Sequence, residues 1–113
     1  MPVFEVNLGN VKLSEDKTKD IVRRMDKIIS EVIGKKDYAM VHVKETIGSY
    51  KQSTDPFAFV RITNIGPIKL KGLKLDSLIM SALNSVASID KNRIFIHAVE
   101  ANFNNFAYEF NDQ

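Results

Sequence analysis

The sequence has 113 residues, of which 44% are hydrophobic and 27% are charged, the balance of a folded chain rather than a disordered one. Its formal net charge of +2 is too small to indicate a nucleic-acid partner, and no basic run is interleaved with aromatic residues. The absence of cysteine excludes disulfides, thiolate metal sites and thiol nucleophiles. We expect residues 1–113 to form a single domain.

The first half of the chain predicts a strand, a helix and a second strand. Residues 2–8 form a short run rich in β-formers. Ser14 can cap a helix that Gly34 can end in the left-handed conformation. Residues 38–45 alternate as a strand does. The apolar positions of this helix recur every three or four residues: Ile21, Val22, Met25, Ile28, Ile29, Val32 and Ile33.

The second half predicts the same order of elements. Residues 57–63 form a β-rich run, residues 64–67 a turn, and residues 93–100 a strand. Residues 106–110 fit a short final strand. The second amphipathic helix is indicated by the apolar positions Leu70, Leu73, Leu78, Ile79, Ala82, Leu83 and Val86.

The two halves resemble each other. Proline opens both, histidine lies inside both closing strands, and glutamate ends both, at a spacing of about 54 residues. The corresponding pairs are Pro2 and Pro56, His42 and His97, and Glu45 and Glu100. The pattern predicts an α+β fold in which two β-α-β repeats form a four-stranded mixed sheet with two helices on one face.

The sheet's second face is left without a covering layer by this arrangement. Apolar residues alternate along the strands, either at Phe57 and Phe59 or at Ile94 and Ile96. We therefore expect this face to be buried against other subunits, in an oligomer whose size does not follow from the pattern.

The location of the protein is less constrained. No apolar stretch is long enough to cross a bilayer, so we expect no membrane insertion. The beginning of the sequence lacks the features of a secretory signal, which favours the cytoplasm. Secretion without a signal peptide stays open.

Several polar residues also have purely structural interpretations. His42 and His97 lack a carboxylate at ligand spacing, so we expect no metal site. Asn102 and Asn105 are typical of turns. Lys35, directly after Gly34, would be favourable as a cation at a helix C-terminus without any function.

Four blocks of sequence, in order, resemble the macrophage migration inhibitory factor family. They are residues 1–7 (MPVFEVN), residues 34–43 (Gly-Lys before YAMVHV), residues 53–66 (STDP leading to NIG), and residues 92–108 (NRIFI before Asn102, Asn105 and Tyr108). The resemblance implies a homotrimer with three pockets between adjacent subunits. It also implies cofactor-independent catalysis by Pro2, as general base or acid, once Met1 is removed.

The chemistry requires a terminal proline. Inside the chain a proline nitrogen is an amide, whereas at the terminus it is a secondary amine. The ordinary pKa of a terminal α-amino group is about 7.7–8.0, and an apolar pocket with a nearby cation lowers it. Such a base can take the proton from the carbon next to a carbonyl and return it to another atom.

The resemblance also assigns substrate-binding residues. Lys35 matches the pocket lysine and Ile65 the residue that lines the pocket. Phe95 and His97, from the neighbouring subunit, stand where the family has tyrosine and asparagine. The rim positions are Phe106 and Tyr108. Phe95 keeps an aromatic wall but lacks the hydroxyl donor, so we expect a working pocket with altered rate or substrate preference.

The implied function is a keto–enol tautomerase of phenylpyruvate type, with dopachrome-like compounds as alternative substrates. The expected partners are the other subunits, a small aromatic keto acid and a cell-surface receptor, because relatives also act as cytokine-like ligands. The alternative hypothesis is a signalling ligand whose tautomerase pocket is weak or vestigial.

Overall fold

The structure is a computed structural model that describes residues 2–34 and 39–107. Its four strands are β1 (Pro2–Gly9), β2 (Met40–Thr46), β3 (Phe57–Ile65) and β4 (Ile94–Ala101). Its two α-helices are α1 (Glu15–Ile28) and α2 (Leu75–Ala87). A π-helical turn (Ile29–Ile33) continues α1, and short 3-10 turns (Lys91–Arg93 and Phe103–Asn105) precede and follow β4.

The strands form one mixed sheet in the order β2-β1-β3-β4. β1 is parallel to β2, β3 is parallel to β4, and the central pair β1 and β3 is antiparallel. Val6 and Val60 face each other at the middle of that central pair. The predicted α+β fold with a four-stranded mixed sheet is therefore confirmed.

The first helix begins and ends as its sequence predicts. The Ser14 hydroxyl accepts a hydrogen bond from the Lys17 amide at 3.2 Å, which satisfies one of the free amides of the first turn. Gly34 has φ of +81° and donates its amide to the Ile29 carbonyl at 2.8 Å. No helix in the described part of the chain is long and apolar enough to cross a membrane.

The core lies between the two helices and one face of the sheet. Alternate residues of β1 and β3 point into it, because side chains of a strand alternate between its two faces. The helices contribute the facing apolar side chains, with Ile21 and Met25 of α1 and Ile79 and Leu83 of α2 fully buried. The strand residues buried there include Phe4, Val6, Leu8, Val60 and Ile62.

On the opposite face of the sheet, three rows of side chains cross all four strands, as defined by the strand register. The outer rows join Met40, Val3, Thr63 and Val99, and Lys44, Asn7, Phe59 and Phe95. The row between them is ionic, with Glu5 between His42 and Arg61 and with His97 beyond Arg61. Phe57 and Phe59 point to this open face, as expected. The same expectation is wrong for Ile94 and Ile96, whose side chains pack towards the helices.

Several predicted boundaries differ from the structure. The second helix starts at Leu75 rather than near Leu70, because Lys74 adopts a left-handed φ of +56° that an α-helix cannot contain. The third strand runs on through Asn64 and Ile65, where a turn is predicted, because both residues pair with neighbouring strands. Arg93 belongs to the 3-10 turn and not to β4.

Some predicted ends lie partly outside the described residues. Phe106 and Ala107 are not in a strand, and residues 108–110 of the predicted final strand lie outside the described part. The second strand begins at Met40, and residue 38 lies outside as well.

The internal repeat extends to side-chain contacts. A Glu45 carboxylate oxygen accepts the amide of Leu13, in the segment leading into α1, at 3.0 Å. A Glu100 carboxylate oxygen accepts the amide of Ile68, in the segment leading towards α2, at 3.3 Å. Each pair is 32 residues apart in sequence, so the two halves use the same tether between closing strand and helix entry.

Candidate active site

The site implied by the sequence centres on Pro2, the first residue of β1. Pro2 is buried, on the face of the sheet that the helices cover. It lies directly opposite Asn64 of β3. Because β1 begins where β3 and β4 end, Pro2 shares this end of the sheet with Ile65 and Ala101.

Two further predicted residues lie at the same end. Ile65 is half-buried and pairs with Ala101. The following residue, Gly66, has φ of +99°, which favours glycine, and donates its amide to the Ala101 carbonyl at 3.4 Å. Phe106 is half-buried and follows the last 3-10 turn. The strand register thus places Pro2 and Ile65 at one end of the sheet, and Phe106 follows the strand that ends there.

Asn64 pairs with Pro2 at this end of the sheet but is not a predicted site residue. It is only 6% exposed, and its amide nitrogen donates to the carbonyl oxygens of Gly66 at 3.4 Å and Pro67 at 3.3 Å. Its amide oxygen is buried and accepts no hydrogen bond from any described residue. The sequence pattern marks Asn64 as a turn residue, and only the β1–β3 register places it opposite Pro2.

Phe95 and His97 lie elsewhere in the chain. Both are exposed on the open face of the sheet, opposite to the face that buries Pro2. In the strand register Phe95 is level with Asn7, five residues beyond Pro2, or roughly 16 Å along the strand. The ring of Phe95 is 53% exposed and lies 5.9 Å from that of Phe59. A single chain does not bring these two residues to Pro2.

Lys35 and Tyr108, two of the predicted substrate-binding residues, lie outside the described residues, as does Met1. Two surface grooves of about 640 and 530 Å³ contain none of the predicted site residues. The larger one runs between α1 and α2, and its walls include Arg24 and Ser81.

The two histidines lie apart in the sheet. His42 is on β2 and His97 on β4, the two edge strands, with β1 and β3 between them. Within the described ranges, no group of three metal-ligating side chains comes together.

Comparison with known families decides the relationship. The family profile described as "Macrophage migration inhibitory factor (MIF)" matches residues 1–110. The chain belongs to this family. The macrophage migration inhibitory factor family is part of the tautomerase superfamily, which supports an isomerase of the tautomerase kind.

Solved structures of several other proteins share the fold. The macrophage migration inhibitory factor-like protein of Entamoeba histolytica is 29% identical, with a TM-score of 0.86 over 96% of this chain and 95% of that chain. The Toxoplasma gondii factor is 22% identical, with a TM-score of 0.85 over 98% of this chain and 97% of that chain. A protein described as inactivated by 2-oxo-3-pentynoate is 14% identical, with a TM-score of 0.80 over 94% and 90% of the two chains, which shows a common fold. No curated protein matches the chain.

Proposed function

We propose that this protein is a cofactor-independent keto–enol tautomerase in which Pro2, freed by removal of Met1, is the general base and acid. The observation that carries the proposal is the burial of Pro2 at the head of a central strand, in a chain of the macrophage migration inhibitory factor family. A buried secondary amine has a lowered pKa, because burial disfavours its charged form. It can then accept the proton next to a substrate carbonyl at neutral pH and return it to another atom.

The complete site requires more than one chain in this proposal. Pro2 and Ile65 lie at one end of the sheet, whereas Phe95 and His97 lie on its open face, level with later residues of β1. A neighbouring copy in a homotrimer would supply the second pair. The same assembly would cover the open face, where Phe59 and Phe95 present an aromatic pair.

The proposed substrate is a small aromatic α-keto acid of the phenylpyruvate type, with a dopachrome-like compound as the alternative. Lys35 would bind the carboxylate, and Phe95 would contact the aromatic ring. Phe106 and Tyr108 would form the rim. Since Phe95 has no hydroxyl, one hydrogen bond to the reacting group would be missing, and we expect slower turnover than a tyrosine would support.

Two measurements test the catalytic role of Pro2. Intact mass first establishes that Met1 is absent. The ketonisation rate of enol-phenylpyruvate is then compared for the wild type and Pro2→Gly, with Pro56→Gly as a control because Pro56 opens the second half at an exposed position. We expect a loss of at least about 10²-fold in Pro2→Gly and little change in Pro56→Gly, because general base catalysis contributes about 10²–10⁴-fold. Equal rates for the wild type and Pro2→Gly would refute the proposal.

A covalent probe gives a second readout. The alkynyl keto acid 2-oxo-3-pentynoate inactivates a protein of this fold, and its alkyne conjugated to the ketone can add an amine. We expect the reagent to add one equivalent per chain at Pro2 and none in an otherwise identical protein that retains Met1. Labelling at lysines alone would contradict a nucleophilic amine at Pro2.

The second candidate function is that of a secreted, cytokine-like ligand of a cell-surface receptor. The observation that favours it is the phenylalanine at position 95, which removes a hydroxyl from the pocket while the fold is retained. Binding of the purified protein to a receptor ectodomain, together with detection of the protein outside intact cells, would support this role. Retention in the cytoplasm and no binding at micromolar concentration would exclude it.

A further inference from the structure

Asn64, which pairs with the first residue of β1, has a buried side-chain amide oxygen. The residue lies directly opposite Pro2, and its oxygen accepts no hydrogen bond from the described part of the chain. We infer that Asn64 is a positioning residue for Pro2, whose terminal amine donates a hydrogen bond to the Asn64 side-chain oxygen after Met1 is removed. This inference rests on the proposed function in one respect, the mature terminus at Pro2.

The orientation of the Asn64 amide is set by its other contacts. Its nitrogen donates to the carbonyl oxygens of Gly66 and Pro67. Rotating the amide by half a turn would place its oxygen against those two acceptors, which can donate nothing in return. The oxygen is therefore the atom that needs a donor, because a buried acceptor without one is destabilising.

The repeated half of the chain contains a natural comparison. Asn10 corresponds to Asn64, and Pro56 corresponds to Pro2. Asn10 directly follows Gly9 and Pro56 directly precedes Phe57, the last pair at the other end of the β1–β3 ladder. The Asn10 side-chain oxygen accepts the Gly48 amide at 3.1 Å. Pro56 lies inside the chain and has no hydrogen to donate. In the half where the proline is internal, a backbone amide satisfies the Asn10 oxygen. In the half where the proline becomes terminal, the Asn64 oxygen has no donor among the described residues.

The chemistry of the amine gives this contact a measurable effect. A neutral secondary amine has one N–H, and its protonated form has two and carries a positive charge. An amide oxygen therefore stabilises the protonated form more strongly, since charge-assisted hydrogen bonds are the stronger ones. Asn64 would raise the pKa of Pro2, against the lowering effect of burial, and would orient the nitrogen lone pair.

Other charged groups at this end of the sheet could also change the pKa of Pro2. Glu100 lies opposite Asn64 on the far side from Pro2, and its carboxylate already accepts the Ile68 amide. β2 begins with Met40, which does not titrate. Lys35, which the family resemblance assigns to the pocket, would lower the pKa of Pro2 through its charge.

The test measures the pKa of Pro2 directly by NMR on mature protein labelled with ¹⁵N and ¹³C in proline. The chain has three prolines, and only the terminal one has a titrating amine. Asn64→Leu removes the acceptor, and we expect the pKa of Pro2 to fall by about 1 or more. Asn64→Asp places a carboxylate there, and we expect the pKa to rise by a similar amount. Asn10→Asp is the matched control and should change the pKa by less than about 0.3.

The pKa of Pro2 is expected to shift in opposite directions in the two Asn64 variants, and this distinguishes a positioning role from a structural one. Both Asn64 variants lose the amide nitrogen that holds Gly66 and Pro67, so a purely structural effect would move Pro2 in the same direction in both or not at all. Either of those outcomes overturns the inference. If the Asp variant fails to fold, an unchanged pKa in Asn64→Leu is sufficient to overturn it. The NMR measurement needs no turnover, so failure of the tautomerase assay would be recognised separately.

Discussion

Arg93 connects the start of β4 to the loop that leads into β3. Its side chain donates to the carbonyl oxygens of Pro56 at 2.9 Å, Asp55 at 3.0 Å and Ser53 at 3.3 Å. Its guanidinium carbon also lies 5.5 Å from the centre of the Tyr50 ring. We predict that this one side chain contributes measurably to the stability of the protein.

The expected cost of Arg93→Ala follows from these contacts. Two of the three hydrogen bonds are exposed, and the carbonyls they release can bind water, so each contributes about 0.5 kcal/mol. The partly buried bond to Ser53 contributes about 1 kcal/mol, and the contact with Tyr50 about 0.5 kcal/mol. We expect Arg93→Ala to lower the free energy of unfolding by about 2–2.5 kcal/mol. Arg93→Lys should lose about half as much, because lysine keeps the charge but not the planar fork.

Urea unfolding followed by circular dichroism measures the effect, at one fixed protein concentration because assembly would add a concentration-dependent contribution. Lys51→Ala is the control: its amine makes one exposed hydrogen bond, to the Asn92 carbonyl at 2.9 Å, and lies 5.2 Å from the same Tyr50 ring. We expect a loss of about 1 kcal/mol from it, about half from the hydrogen bond and half from the ring contact. Equal losses in Arg93→Ala and Lys51→Ala would refute the reasoning.

Three further predictions concern single positions. Ser14→Ala should lower the free energy of unfolding in urea by about 1 kcal/mol, because it leaves the Lys17 amide without its cap. Ser14→Asp should lower it little, and equal losses in the two variants would contradict a capping role. Gly9→Ala should cost about 1–3 kcal/mol, since a Cβ there would overlap the ring of Phe57, and a thermal midpoint equal to that of the wild type would show that the ring moves freely. Phe95→Tyr should raise kcat for enol-phenylpyruvate about 10-fold if the regained hydroxyl contributes about 1.4 kcal/mol in the transition state, and an unchanged kcat would place Phe95 outside the pocket.

The fold follows from sequence wherever local pattern and tertiary contact agree. The repeat is visible in the strand-ending glutamates, and Glu45 and Glu100 indeed make the same contact in each half. The apolar spacing of Leu70 and Leu73 predicts a start of the second helix that is too early, because the backbone at Lys74 is left-handed. Apolar spacing does not report a backbone conformation that a polar residue adopts.

The site is predictable only in part. Pro2 is identified by family resemblance, and its burial follows from its place on a central strand. Asn64 could not be identified, because its position opposite Pro2 depends on the register of two strands far apart in sequence. In the proposed site Phe95 and His97 would come from a second subunit, and no pattern within one chain describes how subunits meet.

The resemblance between the halves also provides a second place at which the chain could begin. A circular permutant, with the original ends joined by a linker and the backbone opened before Pro56, would start with proline beside Asn10. Pro2 would then be an internal amide. Because Pro56 is exposed, its new amine should titrate near the ordinary value of about 7.7–8.0 and add little catalysis. Such a chain would separate what both halves possess, a proline leading a strand, from what the first half alone provides, a buried position for that proline.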